Sequence, residues 1–127
     1  MLLRDMCERS AARLVTICYM KVLKFQADLV PLVLSGQKTS TWRLFDDKNL
    51  TVGDEIELRE FGVDSSFARA VIERVVEKPF GKLTTDDKKG HEGYTNDRQM
   101  YETYTKYYKT PVGPHTTVKI VWFSLKG

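Results

Sequence analysis

Hydrophobic and polar positions alternate in short runs along the chain, separated by connections rich in glycine, proline and charge. Lys21-Val22-Leu23-Lys24-Phe25 alternates and predicts a first strand. Leu29, Val30, Leu32, Val33 and Leu34 then crowd together, which predicts a short helix burying most of its surface. Asp28 is its expected cap, Pro31 is tolerated in the first turn, and Gly36 suits a left-handed stop. A second strand is expected from about Lys38 to Phe45, followed by a turn at Asp46-Asp47-Lys48-Asn49. After Val52-Gly53-Asp54, Ile56 and Leu58 face one way while Glu55, Glu57 and Arg59 face the other, the signature of a half-buried strand. A connection over Gly62 to Ser66 leads to a return strand from Phe67 to Val76, ended by Pro79 and Gly81.

From Lys82 to Tyr94 the pattern is polar and predicts a surface loop. A second helix is expected from about Asn96 to Tyr108, capped by Thr95 or Asn96, with Asp97 favouring its start and Lys106 and Lys109 its end. Met100, Tyr104, Tyr107 and Tyr108 share one face of it. Thr116 to Leu125 is a strongly apolar closing strand. The pattern implies an α+β domain: a small, mostly antiparallel β-barrel of about five strands with two or three helices.

Length and composition narrow the class. A chain of 127 residues with 42% hydrophobic and 29% charged positions suits one globular domain. No apolar run approaches the ~18 residues that span a bilayer, so no membrane association is expected. The net charge of +3 permits a polyanionic partner without demanding one. Cys7 and Cys18 both lie in the first nineteen residues, which removes a disulfide framework from the rest and favours a cytoplasmic setting. Residues 1–19, with Arg4, Arg9 and Arg13 among small and apolar side chains, read as an N-terminal extension or a mis-called start; an added amphipathic helix is the alternative. The domain proper is then 20–127.

The densest chemistry is Ser35-Gly36-Gln37-Lys38-Thr39-Ser40-Thr41-Trp42-Arg43. In a strand, Thr39, Thr41 and Arg43 share one face and Lys38, Ser40 and Trp42 the other. Lys38 meets Thr41 only if Lys38 sits in a bend before the regular strand, which Gly36 allows, or if a bulge reorients it. One reading makes Lys38 and Arg43 solvated surface charges. The other makes Lys38 and Thr41 a nucleophilic unit, in which a lysine with a lowered pKa takes the threonine proton and Arg43 supplies a nearby positive charge. That chemistry needs a carboxylate, and seventeen are present. His91-Glu92-Gly93-Tyr94, flanked by Gly90, is the best supplier, although a loop glutamate can equally be a solvated charge. His91 and His115 are too few and too far apart for a histidine-rich metal site, and neither a metal nor a cofactor is expected. On the second helix, Tyr101, Tyr104, Tyr107 and Tyr108 lie among Arg98, Lys106 and Lys109, which fits either core packing or base stacking beside phosphate contacts.

Three stretches together, Gly36-Gln37-Lys38-Thr39-Ser40-Thr41-Trp42-Arg43, Val52 to Leu58 and His91-Glu92-Gly93-Tyr94, resemble the ASCH domain family, over about residues 20–125. That family shares a β-barrel core with PUA RNA-binding domains. The resemblance implies a PUA-like fold. It also implies kinship with small amidohydrolases that deacetylate N4-acetylcytidine through a lysine, a threonine and a glutamate, which fall on Lys38, Thr41 and Glu92. On that reading Arg43 stabilises an oxyanion, Trp42 or Tyr94 stacks on the base, and the partner is a nucleoside or RNA with no obligatory protein partner. Other members of the family are thought to bind RNA or cut it, so a non-catalytic RNA-binding module or a ribonuclease using the same basic cleft is the alternative.

Overall fold

A computed structural model describes residues 20–45 and 48–126. The expected extension over 1–19, and Asp46 and Asp47 of the expected turn, lie outside the described residues.

The strands are β1 (Lys21–Phe25), β2 (Ser40–Arg43), β3 (Glu55–Glu60), β4 (Ser66–Pro79) and β5 (Thr117–Leu125). The α-helices are α1 (Val30–Ser35) and α2 (Asp97–Tyr108), with single 3-10 turns at Ala27–Leu29 and Phe80–Lys82. One mixed sheet runs in the order β1-β3-β4-β5-β2. Its β1–β3 pairing is parallel and the other three are antiparallel. β4 carries the curl: its first half pairs with β3, and from Ala70 onward it pairs with β5, with a register shift between Ile72 and Arg74. A shift of this kind bends a strand and increases its twist. β1 and β2 are left as the two edges of the curled sheet.

Alternation decides which side each strand buries. Ile56 and Leu58 on β3 are wholly buried, as their spacing predicts. With Leu23, Phe25, Val33, Ala70, Ile72, Val121 and Phe123 they form a core inside the curl. A second core, of Trp42, Leu44, Phe80, Met100, Tyr104, Val118 and Ile120, lies between the outer face of the sheet and α2. β5 serves both, with Val118 and Ile120 on one side and Val121 and Phe123 on the other. Its nearly continuous apolar run follows from burial on both faces.

Two expectations about α1 are corrected. Of its apolar cluster only Val33 is fully buried, and Leu34 is 51% exposed. A six-residue helix lying on the surface turns only one of its residues squarely inward. Asp28 does not cap it; Asp28 belongs to the preceding 3-10 turn, and the N-cap position is Leu29, without a side-chain bond. Gly36 does adopt the left-handed stop, at φ 84°. Asn96 caps α2, accepting a hydrogen bond from the Gln99 N–H at 2.8 Å. β2 is shorter than expected and β4 longer, because β4 keeps pairing with β5 past Val76, as far as Pro79 opposite Thr117.

Candidate active site

The open edge of the curl holds a cleft of about 380 Å³. Its walls come from the end of β1, the segment 38–43, Phe61, His91 and Glu92, and the tyrosines of α2. Lys38 lies between the Gly36 stop and the start of β2, so it is free of strand alternation. Its N–H donates to the Leu32 carbonyl at 3.0 Å, which anchors it to α1. Its side chain, 3% exposed, reaches Glu92 Oε1 at 2.6 Å. Lys38, Thr41, Arg43 and Glu92 all line the same cleft.

Thr41 and Arg43 share a strand face, as alternation requires. Arg43 Nε donates to Thr41 Oγ1 at 2.9 Å. Arg43 Nη2 donates to the Lys24 carbonyl at 3.1 Å, and the guanidinium sits over the Phe25 ring, 5.1 Å from its centroid. One side chain thus joins the β2 edge to the β1 edge, across the place where the sheet stays open.

The loop from 83 to 96 is fastened to β2 by main-chain bonds. The Gly90 carbonyl accepts from the N–H groups of Thr39 at 2.8 Å and Ser40 at 3.1 Å. The Lys89 carbonyl accepts from Ser40 Oγ at 3.3 Å and Trp122 Nε1 at 3.2 Å. Gly90 has φ 79°, and a Cβ there would fall 2.0 Å from Thr39 Oγ1, so only glycine permits this approach. Further back, buried Asp87 accepts from Lys78 Nζ at 2.7 Å and from the Thr84 N–H at 2.8 Å. The polar loop is therefore not simply solvated: these contacts carry Glu92 to Lys38.

Electrostatics follow from this burial. Desolvation pushes the Lys38 pKa below its ordinary value and nearby Arg43 adds to the fall, against the opposing pull of Glu92. Burial raises Glu92, but the His91 charge when that ring is protonated, the Lys38 charge and the Lys38 hydrogen bond outweigh it and hold the carboxyl below its usual range. Burial and the Lys38 charge lower His91 to about 4, so its ring is neutral near pH 7.

The remaining candidates divide. Trp42 is 3% exposed; it stacks on His91 with centroids 3.8 Å apart and packs edge-on against Phe80. Tyr94 packs against the second core, edge-on to Tyr104. The helix stripe splits likewise: Met100 and Tyr104 are buried, while Tyr107 is 49% exposed at the cleft. His91 and Phe61 are cleft residues that sequence reasoning assigned no role, whereas Tyr107 was among the tyrosines read as either core packing or base stacking. The sequence signals for the first two were slight: one histidine beside the candidate glutamate, and one aromatic at the end of a strand. Among the described residues, no three His, Cys, Asp or Glu side chains gather as a metal site, and no helix is long and apolar enough to cross a membrane.

No family model matches the sequence, and no curated protein matches it. Solved structures do. The ASCH domain from Lactobacillus crispatus superposes with a TM-score of 0.64 at 13% identity, over 84% of this chain and 79% of that one. A protein from Enterococcus faecalis assigned to family DUF984 gives 0.70 at 16% identity, over 87% and 82%. The ASCH protein from Zymomonas mobilis gives 0.57 at 15% identity, over 81% of this chain and 65% of that one. At such identities the likeness concerns the fold, and the fold is ASCH-like.

Proposed function

We propose that this ASCH-like fold carries a hydrolytic site for acylated nucleosides of the N4-acetylcytidine kind. The observation that carries the reading is the 2.6 Å contact between buried Lys38 and Glu92, in the cleft that also holds Thr41 and Arg43. Moving one proton across that contact converts the ion pair to a neutral amine and a carboxylic acid. The amine takes the Thr41 proton, and Thr41 Oγ attacks the amide carbonyl. Arg43 Nε, already bonded to Oγ, favours the developing alkoxide. The C–N bond breaks as Glu92 gives its proton to the departing exocyclic nitrogen, leaving an ester on Thr41. Glu92, now a carboxylate, takes a proton from water, which attacks the ester. Lys38 returns a proton to Thr41, and the carboxylic acid leaves.

Size supports a small ligand, since the cleft of about 380 Å³ lies at the lower end of small-molecule sites, roughly 300–1,000 Å³. Base stacking falls to Phe61 and Tyr107, both half-exposed at the cleft, because the faces of Trp42 are already covered. Lys38 and Arg43 are committed to Glu92, Thr41 and the Lys24 carbonyl, which leaves them poorly placed to grip phosphates. A cytoplasmic location belongs to the same proposal.

The test is acetate release from N4-acetylcytidine by the purified protein, with RNA integrity followed in parallel. Lys38→Ala and Thr41→Ala should be nearly inactive, and Glu92→Gln slowed ~10²–10⁴-fold. No turnover by the wild type, or wild-type turnover by both alanine variants, overturns the mechanism. Salt-sensitive RNA binding without turnover would favour the RNA-binding module, and RNA fragments the ribonuclease.

A further inference from the structure

The proposed reaction uses Lys38, Thr41, Arg43 and Glu92 but leaves out the most tightly held polar side chain of the cleft wall. The His91 side chain is 2% exposed, and its ring stacks on Trp42 with the two planes 17° apart. Both ring nitrogens are engaged. Nδ1 lies 2.9 Å from the main-chain carbonyl oxygen of Glu92, which can only accept, so Nδ1 carries the hydrogen. Nε2 therefore offers its lone pair, and the Tyr104 hydroxyl, 3.2 Å away, donates to it. Tyr94 packs edge-on against Tyr104, with ring centroids 6.3 Å apart. The direction of both bonds follows, from Tyr104 to His91 and from His91 to the Glu92 carbonyl.

The same Nδ1 stands 3.4 Å from Glu92 Oε1, the oxygen that Lys38 contacts. The carboxylate is thus flanked by the Lys38 ammonium and an imidazole N–H. The charged groups that act on the ring are Lys38, Arg43 and Glu92, and its hydrogen-bonding neighbour on the helix side is the uncharged Tyr104 phenol. A neutral ring suits this setting, since a second cation there would compete with Lys38 for the one carboxylate.

We infer that His91 is a positioning residue: as the neutral Nδ1–H tautomer, fixed by the Glu92 carbonyl on one side and the Tyr104 hydroxyl on the other, it holds the main chain and carboxylate of Glu92 against Lys38. The role rests on the reading of Glu92 as the acid/base group, but the geometry can be read without turnover.

The experiment uses the full chain with 15N-labelled histidine. Only His91 and His115 contribute signals, and a His115→Gln variant assigns them. His91 should appear as a single Nδ1–H tautomer, unchanged from pH 8 to pH 5. Tyr104→Phe, which keeps the ring packing and removes only the hydroxyl, should shift the Nε2 signal as its lone pair loses a donor, while Nδ1 keeps its hydrogen. In the hydrolysis assay, His91→Asn, whose amide can donate from near the Nδ1 position, should retain most of kcat. His91→Gln, whose amide reaches toward Tyr104 instead, should lose about tenfold or more in kcat with KM little changed. A His91 that is Nε2–H, that titrates near its ordinary value, or that ignores Tyr104→Phe overturns the inference. So does a His91→Gln variant with wild-type kcat. Should the wild type prove inactive toward acylated nucleosides while the spectra behave as described, the hydrolase reading fails and the positioning of Glu92 by His91 stands.

Discussion

Lys38 Nζ and Glu92 Oε1 lie 2.6 Å apart although 54 residues separate them in the chain. Each holds the other in its charged form, and burial works against both. Glu92 is the main group raising the Lys38 pKa, so Glu92→Gln should let Lys38 lose its proton at lower pH than in the wild type. The alkaline-rising limb of kcat/KM for the remaining slow reaction should move to lower pH accordingly. Lys38→Met should do the reverse to Glu92, which keeps its desolvation and loses its ammonium, so its pKa should rise. A pH–rate profile of the first variant and a carboxyl titration of the second by NMR check the two signs.

Gly90 makes that contact possible. With φ 79° and a virtual Cβ 2.0 Å from Thr39 Oγ1, Gly90→Ala must twist the backbone and push the loop off β2. Backbone strain and clash together should cost about 1–3 kcal/mol, read as a lower urea midpoint. Activity should fall further than stability alone explains, because Glu92 is two residues on. Removing the Thr39 hydroxyl as well, in Thr39→Ala/Gly90→Ala, should recover only part: the Thr39 Cβ at 3.3 Å and the positive φ remain.

The contrast between β3 and the loop explains what the sequence could carry. Strand alternation from Glu55 to Glu60 encodes its own burial, and Ile56 and Leu58 are buried as read. Asn96 announces the start of α2 through local capping chemistry. The same local logic placed Thr41 with Arg43 and made any meeting of Lys38 with Thr41 depend on a bend before the strand or on a bulge. It could not assign His91 or Phe61, nor choose between packing and stacking for Tyr107, because these roles depend on which segments meet across the open edge of the sheet. Nor could it see that α1 lies on the surface, because an apolar cluster of five looks the same on a half-covered helix as on a buried one. Asp87, read as part of a solvated loop, is buried because Lys78 reaches it from β4, nine residues back.

Tyr107 projects from α2 at the cleft, 49% exposed, without the buried packing of Tyr104. Its removal should therefore cost binding and little stability. If it stacks on the base, Tyr107→Ala loses an interaction made equally in the ground and transition states. KM should rise about tenfold, within the ~1–3 kcal/mol of base–aromatic stacking, while kcat holds. Tyr107→Phe should behave as wild type. A fall in kcat with KM unchanged would instead tie Tyr107 to the chemistry of Glu92, whose charge it feels.

His91 also sets how the fold should respond to acid. Its folded pKa is depressed to about 4, chiefly by burial. Between that value and the ordinary pKa near 6.5, the unfolded chain binds a proton that the folded protein refuses. Stability should therefore fall as pH drops through this window, by ~3 kcal/mol once pH 4 is reached. Glu92, held below its ordinary value of 4.5, contributes stability that begins to go only at the foot of this window, so the loss between pH 6.5 and 4.5 belongs to His91. Urea denaturation at intervals from pH 7.5 to 4 should show the early loss in the wild type. In His91→Gln the slope between pH 6.5 and 4.5 should be much flatter, even if that variant is less stable at neutral pH. An unchanged slope in His91→Gln would place the titrating group elsewhere.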